Sequence, residues 1–488
     1  MHPQLNKTAI TKIPLWLLVT FSLIGYIVIQ LWFPLTPYLD QIPPMDIRKF
    51  APTLIGGLGY GLLLLILFGL YALSYQRSQL LQKPLQLGYI LIATILFCLP
   101  LIQTYPFNAT DIYRYIIRGR VNSIYHANSY TSAPTDFPED PFFPFAGEWA
   151  NETSPYGPAW EMITTAVTAS LGHNLSSLLY SFKIIGSIFH LACAFLIWLL
   201  LANAPPNQRS AYTILWAWNP ALLLTFVVDA HNDVVMIFWL LLGLWIMHKF
   251  TTTGGMIVML LAPLTKPIAL LSIPLFFIMG WQRLGSFKTK LRYLLITTAA
   301  GIILLVLFFA PFGSPLQLAT RLLREASAAP GFSLPTLILL IFVAFKQIPP
   351  IDAVVLLASA AFILFAIWLA WRTWNGRSAV RGTADIFAGY MIQALSFRIW
   401  YATWPFPWLL VDDGLSDSKA TGLSYPLKVG LWFLVTSQLS VLIYGHIRHY
   451  LLGTSQLHAH LLGIPFTFLL PFLLARLSWP FSKKQFNG

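Results

Sequence analysis

Apolar runs close to the roughly 20 residues that span a bilayer recur along almost the whole of this 488-residue chain. Hydrophobic residues make up 57% of it and charged ones 10%, against about 25% charged in a soluble domain. The sequence therefore predicts an all-α fold, a polytopic transmembrane helical bundle of about 11–13 spans, with no room for a separate soluble domain.

The net charge of +13, from 30 Lys+Arg against 17 Asp+Glu, would suggest nucleic acid in a soluble protein. Here many of the cations sit in short loops between apolar runs, as cytoplasmic loops of membrane proteins do, so topology explains them and no nucleic-acid partner is expected. Cys98 and Cys193 lie inside apolar runs and read as small core residues. The first run, about 14–33, follows Lys7 and Lys12 and has no clear small-residue cleavage site. It reads as a retained helix with the N-terminus in the cytoplasm.

Spans are expected at 14–33, 53–74 and 85–103, which puts the long polar stretch 104–155 on the outer side. The run 156–172 is short and contains Glu161. Laying it along the surface lets 177–203 cross inward and keeps Arg209 cytoplasmic, so 104–175 reads as one external module. The run 211–228 leads out to a turn at 229–233, and 234–247 returns. Both ends of 254–280 favour the cytoplasm, which two half-helices meeting at Thr265-Lys266-Pro267 satisfy, because Pro breaks helices and broken helices are tolerated beside a cavity. Span 293–311 follows, then an amphipathic external stretch at 312–333 and a partial run at 334–346. A crossing is expected before Arg372, and 384–400 exits with Arg398 outside. The runs 402–411, 427–444 and 460–477 complete the bundle, and Lys483 and Lys484 end inside. No tandem repeat is visible. The chain divides into N-terminal helices (1–84), a central module (85–410) and C-terminal helices (411–488).

Chemistry-bearing residues cluster in the outer segments. Asn108 is placed to cap a helix, with Asp111 in its first turn. Asp111, Arg114, Tyr115 and Arg118 then share one face. As an exposed Asp–Arg pair this would be worth only about 0.3–0.5 kcal/mol. The position is directly after a span, among aromatics. Tyr130 and an acidic, aromatic loop (Asp136, Glu139, Asp140, Trp149, Glu152) precede Ser154-Pro-Tyr156-Gly-Pro158, a rigid turn. Aromatic faces with carboxylates suit carbohydrate, and a structured loop without chemistry is the alternative. Asp229, His231 and Asp233 crowd the second turn. Such a trio could bind a divalent metal but is more often a hydrogen-bonded polar turn. Lys266 in an apolar setting needs a partner or a function. Arg398-Ile-Trp400-Tyr401-Ala-Thr-Trp404 reads either as an interfacial aromatic belt or as an anion site.

At these residues the chain resembles the C-type (GT-C) glycosyltransferases, and most of all the polyprenol-phosphate-mannose-dependent mannosyltransferases and family 87 of the glycosyltransferases. The resemblance covers about 85–410. It runs through Asp111-x-Tyr-Arg114-Tyr with Gly119-Arg120, Ser154-Pro-Tyr-Gly-Pro158, Trp218-Asn-Pro220, His231-Asn-Asp233, Lys266-Pro267 and Trp400-Tyr401-x-x-Trp404. One departure is Ala127-Asn-Ser-Tyr130, where those relatives usually show Gly-x-Asn-Pro-Tyr. The resemblance implies a membrane enzyme that passes a hexose, as mannose, from a polyprenyl-phosphate donor to a glycan or lipid-linked acceptor. Its active site would lie on the outer face of a bacterial cell membrane. It implies Asp111 as general base of an inverting displacement. It also implies Lys266 and Arg398, and after them Arg114 and Arg118, as cations for the leaving phosphate. Tyr115, Tyr130, Tyr156, Asp229, His231, Asp233, Trp400, Tyr401 and Trp404 would be substrate contacts. The donor is already activated, so no metal or other cofactor is strictly required. A transporter or flippase of a lipid-linked or small polar solute is the main alternative, and a non-catalytic membrane scaffold is another.

Overall fold

A computed structural model describes residues 13–328, 331–416 and 422–477. The expectations for Lys7, Lys12, Lys483 and Lys484 lie outside the described residues. Helix follows helix throughout. The chain begins with α1 (Leu15–Trp32), α2 (Leu54–Gln79) and α3 (Leu87–Ile102). The polar module then contributes α4 (Asp111–Ser123) and α5 (Pro158–Leu171). After α6 (Leu175–Leu200) come α7 (Pro206–Ala217), α8 (Pro220–Val228) and α9 (Asp233–Lys249). Next are α10 (Thr252–Thr265), α11 (Pro267–Gln282), α12 (Phe287–Phe309) and α13 (Pro315–Ala328). The chain closes with α14 (Leu334–Ala344), α15 (Ile351–Trp374), α16 (Ala379–Gln393), α17 (Phe406–Leu415), α18 (Tyr425–Tyr450) and α19 (Gln456–Arg476). Among the described residues there is no strand, only an isolated bridge between Pro34 and Thr104.

Among the described residues, seven of these helices are long and apolar enough to cross a membrane, and the bent pair α7–α8 makes an eighth. The helices α3, α10, α11 and α14 are apolar but shorter. The chain is an all-α polytopic membrane protein. The helix ends are set locally. The side chains of Thr53 and Asn174 accept from the amides of Gly56 and Ser177 and so cap α2 and α6. Prolines occupy the first position of α5, α7 and α8, where a missing N–H costs nothing.

Two breaks shape the interior. The stretch 211–228 is not one straight crossing: α7 and α8 meet at 42°. Pro220 supplies no donor there, and the Asn219 side chain caps the new helix by accepting from the Ala221 amide. The second break lies at Lys266, whose backbone is extended (φ −141°, ψ 114°), as a residue ahead of proline prefers. Helix α14 has 11 residues, about 16 Å at 1.5 Å per residue, and is too short to cross. Helix α15 has 24 residues, and only 6% of its most apolar window is buried. Its surface faces outward, as lipid contact requires.

Candidate active site

The helix that carries Asp111 begins at that residue, with Thr110 in the capping position. Asn108 is not the cap. It lies too far upstream, and its backbone N–H instead donates to Asp229 Oδ1 at 3.3 Å. The Asp111 carboxylate is 8% exposed. Arg114 Nη1 lies 3.2 Å from its Oδ1, and the Tyr156 hydroxyl donates to the same oxygen at 2.6 Å. The guanidinium of Arg114 also stacks 4.0 Å above the Trp149 ring. Burial pushes the Asp111 carboxyl up. The Arg114 guanidinium, then His231, the Tyr156 hydroxyl and Lys266, pull it down by more, so the group is held below the ordinary carboxylate range and stays ionised.

The break between α10 and α11 faces this helix. Lys266 Nζ donates to Asp233 Oδ2 at 2.6 Å and lies 5.6 Å from the Trp404 ring centre. The Trp404 indole N–H donates to the other oxygen of Asp233. His231 stacks on Trp400 with ring centres 4.1 Å apart, and Tyr401 stacks on Trp404 at 4.1 Å. Arg398 heads the tight turn Ile399–Thr403. Its guanidinium has no ion-pair or hydrogen-bond partner among the described residues.

These groups border one cavity of about 660 Å³. Asp111, Arg114, Tyr156, Lys266, Arg398, Trp400, Tyr401 and Trp404 all line it, together with Glu148, Trp149, Glu152 and Arg321. One wall is apolar, formed by Ile268, Leu270 and Leu271 at the start of α11, Pro335 of α14 and Val355 of the outward-facing α15.

The other expected contacts stand behind the wall and not on it. Arg118 is buried, and its Nη2 donates to the Glu152 carbonyl at 2.9 Å, so it holds the loop and faces no phosphate. Burial, then repulsion from Arg114, lowers it to about 10. Tyr115 packs edge-on against Tyr156 and Trp160. Tyr130 packs on Phe309 and Phe312 and donates to the Tyr156 carbonyl at 2.8 Å. Asp229, His231 and Asp233 are 2% exposed or less; Asp229 accepts from the Asn108 amide, His231 stacks on Trp400, and Asp233 takes Lys266 and Trp404, with His231 Nδ1 also 3.8 Å from Asp233 Oδ2. Among the described residues, no three His, Cys, Asp or Glu side chains converge as a metal set.

Several supporting residues had no role in the sequence reading. Glu161 is buried and accepts from Ser154 at 2.5 Å, Ser129 at 2.9 Å and Asn122 at 3.3 Å. Burial raises its carboxyl in spite of the Ser154 hydroxyl, Arg118 and the other donors. Arg321 lies 3.2 Å from Glu152 and donates to the Thr153 carbonyl at 3.3 Å. Lys183, fully buried in α6, donates to the carbonyls of Thr104 and Val228. A lysine in mid-span was itself a legible signal. The backbone N–H of Gly157 donates to the Thr265 carbonyl at 3.1 Å, docking the polar module onto the Lys266 break.

The family profile described as alpha-(1->6)-mannopyranosyltransferase, N-terminal domain, matches residues 39–283, just over half of the chain. That stretch contains Asp111, Arg114, Tyr156, Asp233 and Lys266, and stops short of Arg398 and Trp404. Alpha-(1->6)-mannopyranosyltransferase A of Mycobacterium tuberculosis is 23% identical over 338 residues, covering 64% of this chain and 63% of that protein. The protein of the same name from Corynebacterium glutamicum is 25% identical over 190 residues, 38% of each chain. Alpha-(1->6)-mannopyranosyltransferase B of that organism is 25% identical over 150 residues, 30% of this chain and 24% of its own length. The chain therefore spans less than two thirds of each of these relatives.

Proposed function

The chain belongs to the alpha-(1->6)-mannopyranosyltransferase family, and from that premise we propose that it is a membrane mannosyltransferase. It takes mannose from a polyprenyl-phosphate donor and passes it to a glycan or lipid-linked acceptor at the outer face of the membrane. The observation that carries this reading is that Asp111, Lys266 and Arg398 border a single cavity.

In the proposed step the acceptor hydroxyl oxygen attacks the anomeric carbon. The bond from that carbon to the phosphate oxygen breaks, and its electron pair leaves with the lipid phosphate. The hydroxyl proton passes to Asp111. Inversion on a β-linked donor yields the α linkage that the relatives' names carry. A carboxylate held as acidic as Asp111 is a weak base. The proton therefore leaves late, when the bond to phosphate is largely broken and the sugar has oxocarbenium character. Lys266 and Arg398 stabilise the charge that develops on the phosphate, a task that needs no further cofactor. The apolar wall between α11, α14 and α15 suits the polyprenyl chain.

A transporter would also use a broken helix beside a buried lysine. Product formation separates the two readings. In detergent, the purified protein with labelled polyprenyl-phosphate mannose and a mannoside acceptor is expected to form the extended product. A transporter forms no glycosidic bond, and absence of product from correctly folded protein would remove the enzyme reading.

A further inference from the structure

The cavity has a second polar wall that the donor reading leaves unused. The segment Phe143–Trp149 is a tight turn interrupted at Gly147, whose φ of 52° and ψ of −131° turn the chain. A side chain there would be strained. This turn brings Glu148 and Trp149 to the cavity border. Trp149 is half-buried, and one of its faces is covered by the Arg114 guanidinium at 4.0 Å. The same guanidinium lies 3.2 Å from Asp111. One side chain thus fixes the indole and the base relative to each other. Glu148 is exposed and has no partner among the described residues. Glu152 beside them is tied to Arg321 at 3.2 Å, with its side chain 41% exposed.

An indole face with a free carboxylate next to it is the chemistry of a neutral hexose. The apolar ring face of the sugar stacks, and its hydroxyls donate to the carboxylate. Glu148, the carboxylate here without a cation partner among the described residues, would repel a phosphate, whereas Glu152 is neutralised by Arg321. Lys266 and Arg398 line the same cavity with Trp404 and Trp400.

We infer that Trp149 and Glu148 form the acceptor subsite: Trp149 stacks on the hexose that receives the transferred sugar, and Glu148 accepts from its hydroxyls. This rests on the mannosyl-transfer reading of the same cavity. Trp149 is then a specificity-determining residue, set through Arg114 at the distance from Asp111 that the attacking hydroxyl requires.

The test measures transfer from labelled polyprenyl-phosphate mannose to octyl α-mannoside, and separately the slow hydrolysis of that donor with no acceptor added. Trp149→Ala is expected to raise the acceptor KM at least tenfold while the donor KM stays within twofold. Trp149→Phe, which keeps a ring over Arg114, should recover most of the loss. Glu148→Gln, at an exposed position that cannot unfold the protein, should raise the acceptor KM three- to tenfold. An unchanged acceptor KM in both Trp149→Ala and Glu148→Gln overturns the inference, as does a donor KM that rises in parallel. Wild-type enzyme that hydrolyses the donor but never transfers to the mannoside overturns the hexose assignment alone. Wild-type protein that neither transfers nor hydrolyses removes the mannosyl-transfer reading beneath it.

Discussion

Lys266 Nζ sits 2.6 Å from Asp233 Oδ2. The lysine is therefore neutralised locally before any anion arrives, whereas Arg398 on the same cavity carries its charge without a partner. In the proposed reaction the two cations have different work: Arg398 would hold the donor phosphate, and Lys266, positioned by Asp233 and Trp404, would meet the oxygen on which charge builds.

Steady-state kinetics separate these roles. Arg398→Gln is expected to raise the donor KM about tenfold, the loss of roughly 1.4 kcal/mol of binding common to ground and transition states. Lys266→Gln is expected to lower kcat about a hundredfold, or roughly 2.7 kcal/mol, with a smaller change in KM. Equal effects of both variants on KM alone would contradict the division.

The ionisation of Asp111 gives a pH prediction. Its folded-state pKa is depressed, so the charged form stabilises the fold at pH above the unfolded value near 3.9, and that contribution is lost only as pH falls through the lower folded value. Asp111 therefore produces no acid limb in kcat/KM between about pH 5 and 8. An acid limb near pH 6 that shifts in Asp111→Glu would assign the titration to this carboxyl and contradict the account.

Gly157 tests how the polar module is joined to the bundle. A Cβ at this position would lie 2.2 Å from the Leu264 carbonyl oxygen, a backbone atom that cannot swing aside. Gly157→Ala must push the turn away from Lys266, at about 1–3 kcal/mol. Thermal unfolding in detergent should show a clear drop in Tm together with reduced turnover. An unchanged Tm with full activity would show that the close approach is not required.

Glu161 is a related test of the buried network. Glu161→Ala leaves the donors of Ser154, Ser129 and Asn122 without their acceptor, each unsatisfied group costing about 1–3 kcal/mol. Glu161→Gln keeps an acceptor oxygen for part of this network and should be the milder change. Thermal unfolding of the two variants ranks them, and equal loss would contradict the role given to the network.

Much of this was legible in the sequence because membrane helices follow strong local rules. Apolar run length gave α1, α2, α6 and α15. Proline 267 marked the break at Lys266. Proline 220 marked the bend between α7 and α8 just as plainly, yet an apolar run on both sides concealed it. Spacing on one helix put Arg114 beside Asp111. What lay beyond reach was depth. Asp229, His231 and Asp233 read as a polar turn whose side chains could meet substrate, and they are buried because the Trp400–Trp404 segment closes over them, a contact between residues some 170 apart in the chain. Arg118 shares a face with Arg114 but is turned behind the loop by the Glu152 carbonyl. Trp149 reached the cavity only through the left-handed Gly147, which no periodicity signals.

The most direct test of the account is Asp111→Asn, assayed for transfer of labelled mannose from its polyprenyl-phosphate carrier, with thermal unfolding as the control for folding. The substitution keeps an oxygen for the Tyr156 hydroxyl and removes the charge that would accept the proton and that pairs with Arg114. The account predicts a protein that inserts and folds with a lowered Tm, because Arg114 loses its buried partner, and that makes at least a thousandfold less product per folded molecule, a loss of roughly 4 kcal/mol of transition-state stabilisation. Wild-type turnover in that variant would contradict it.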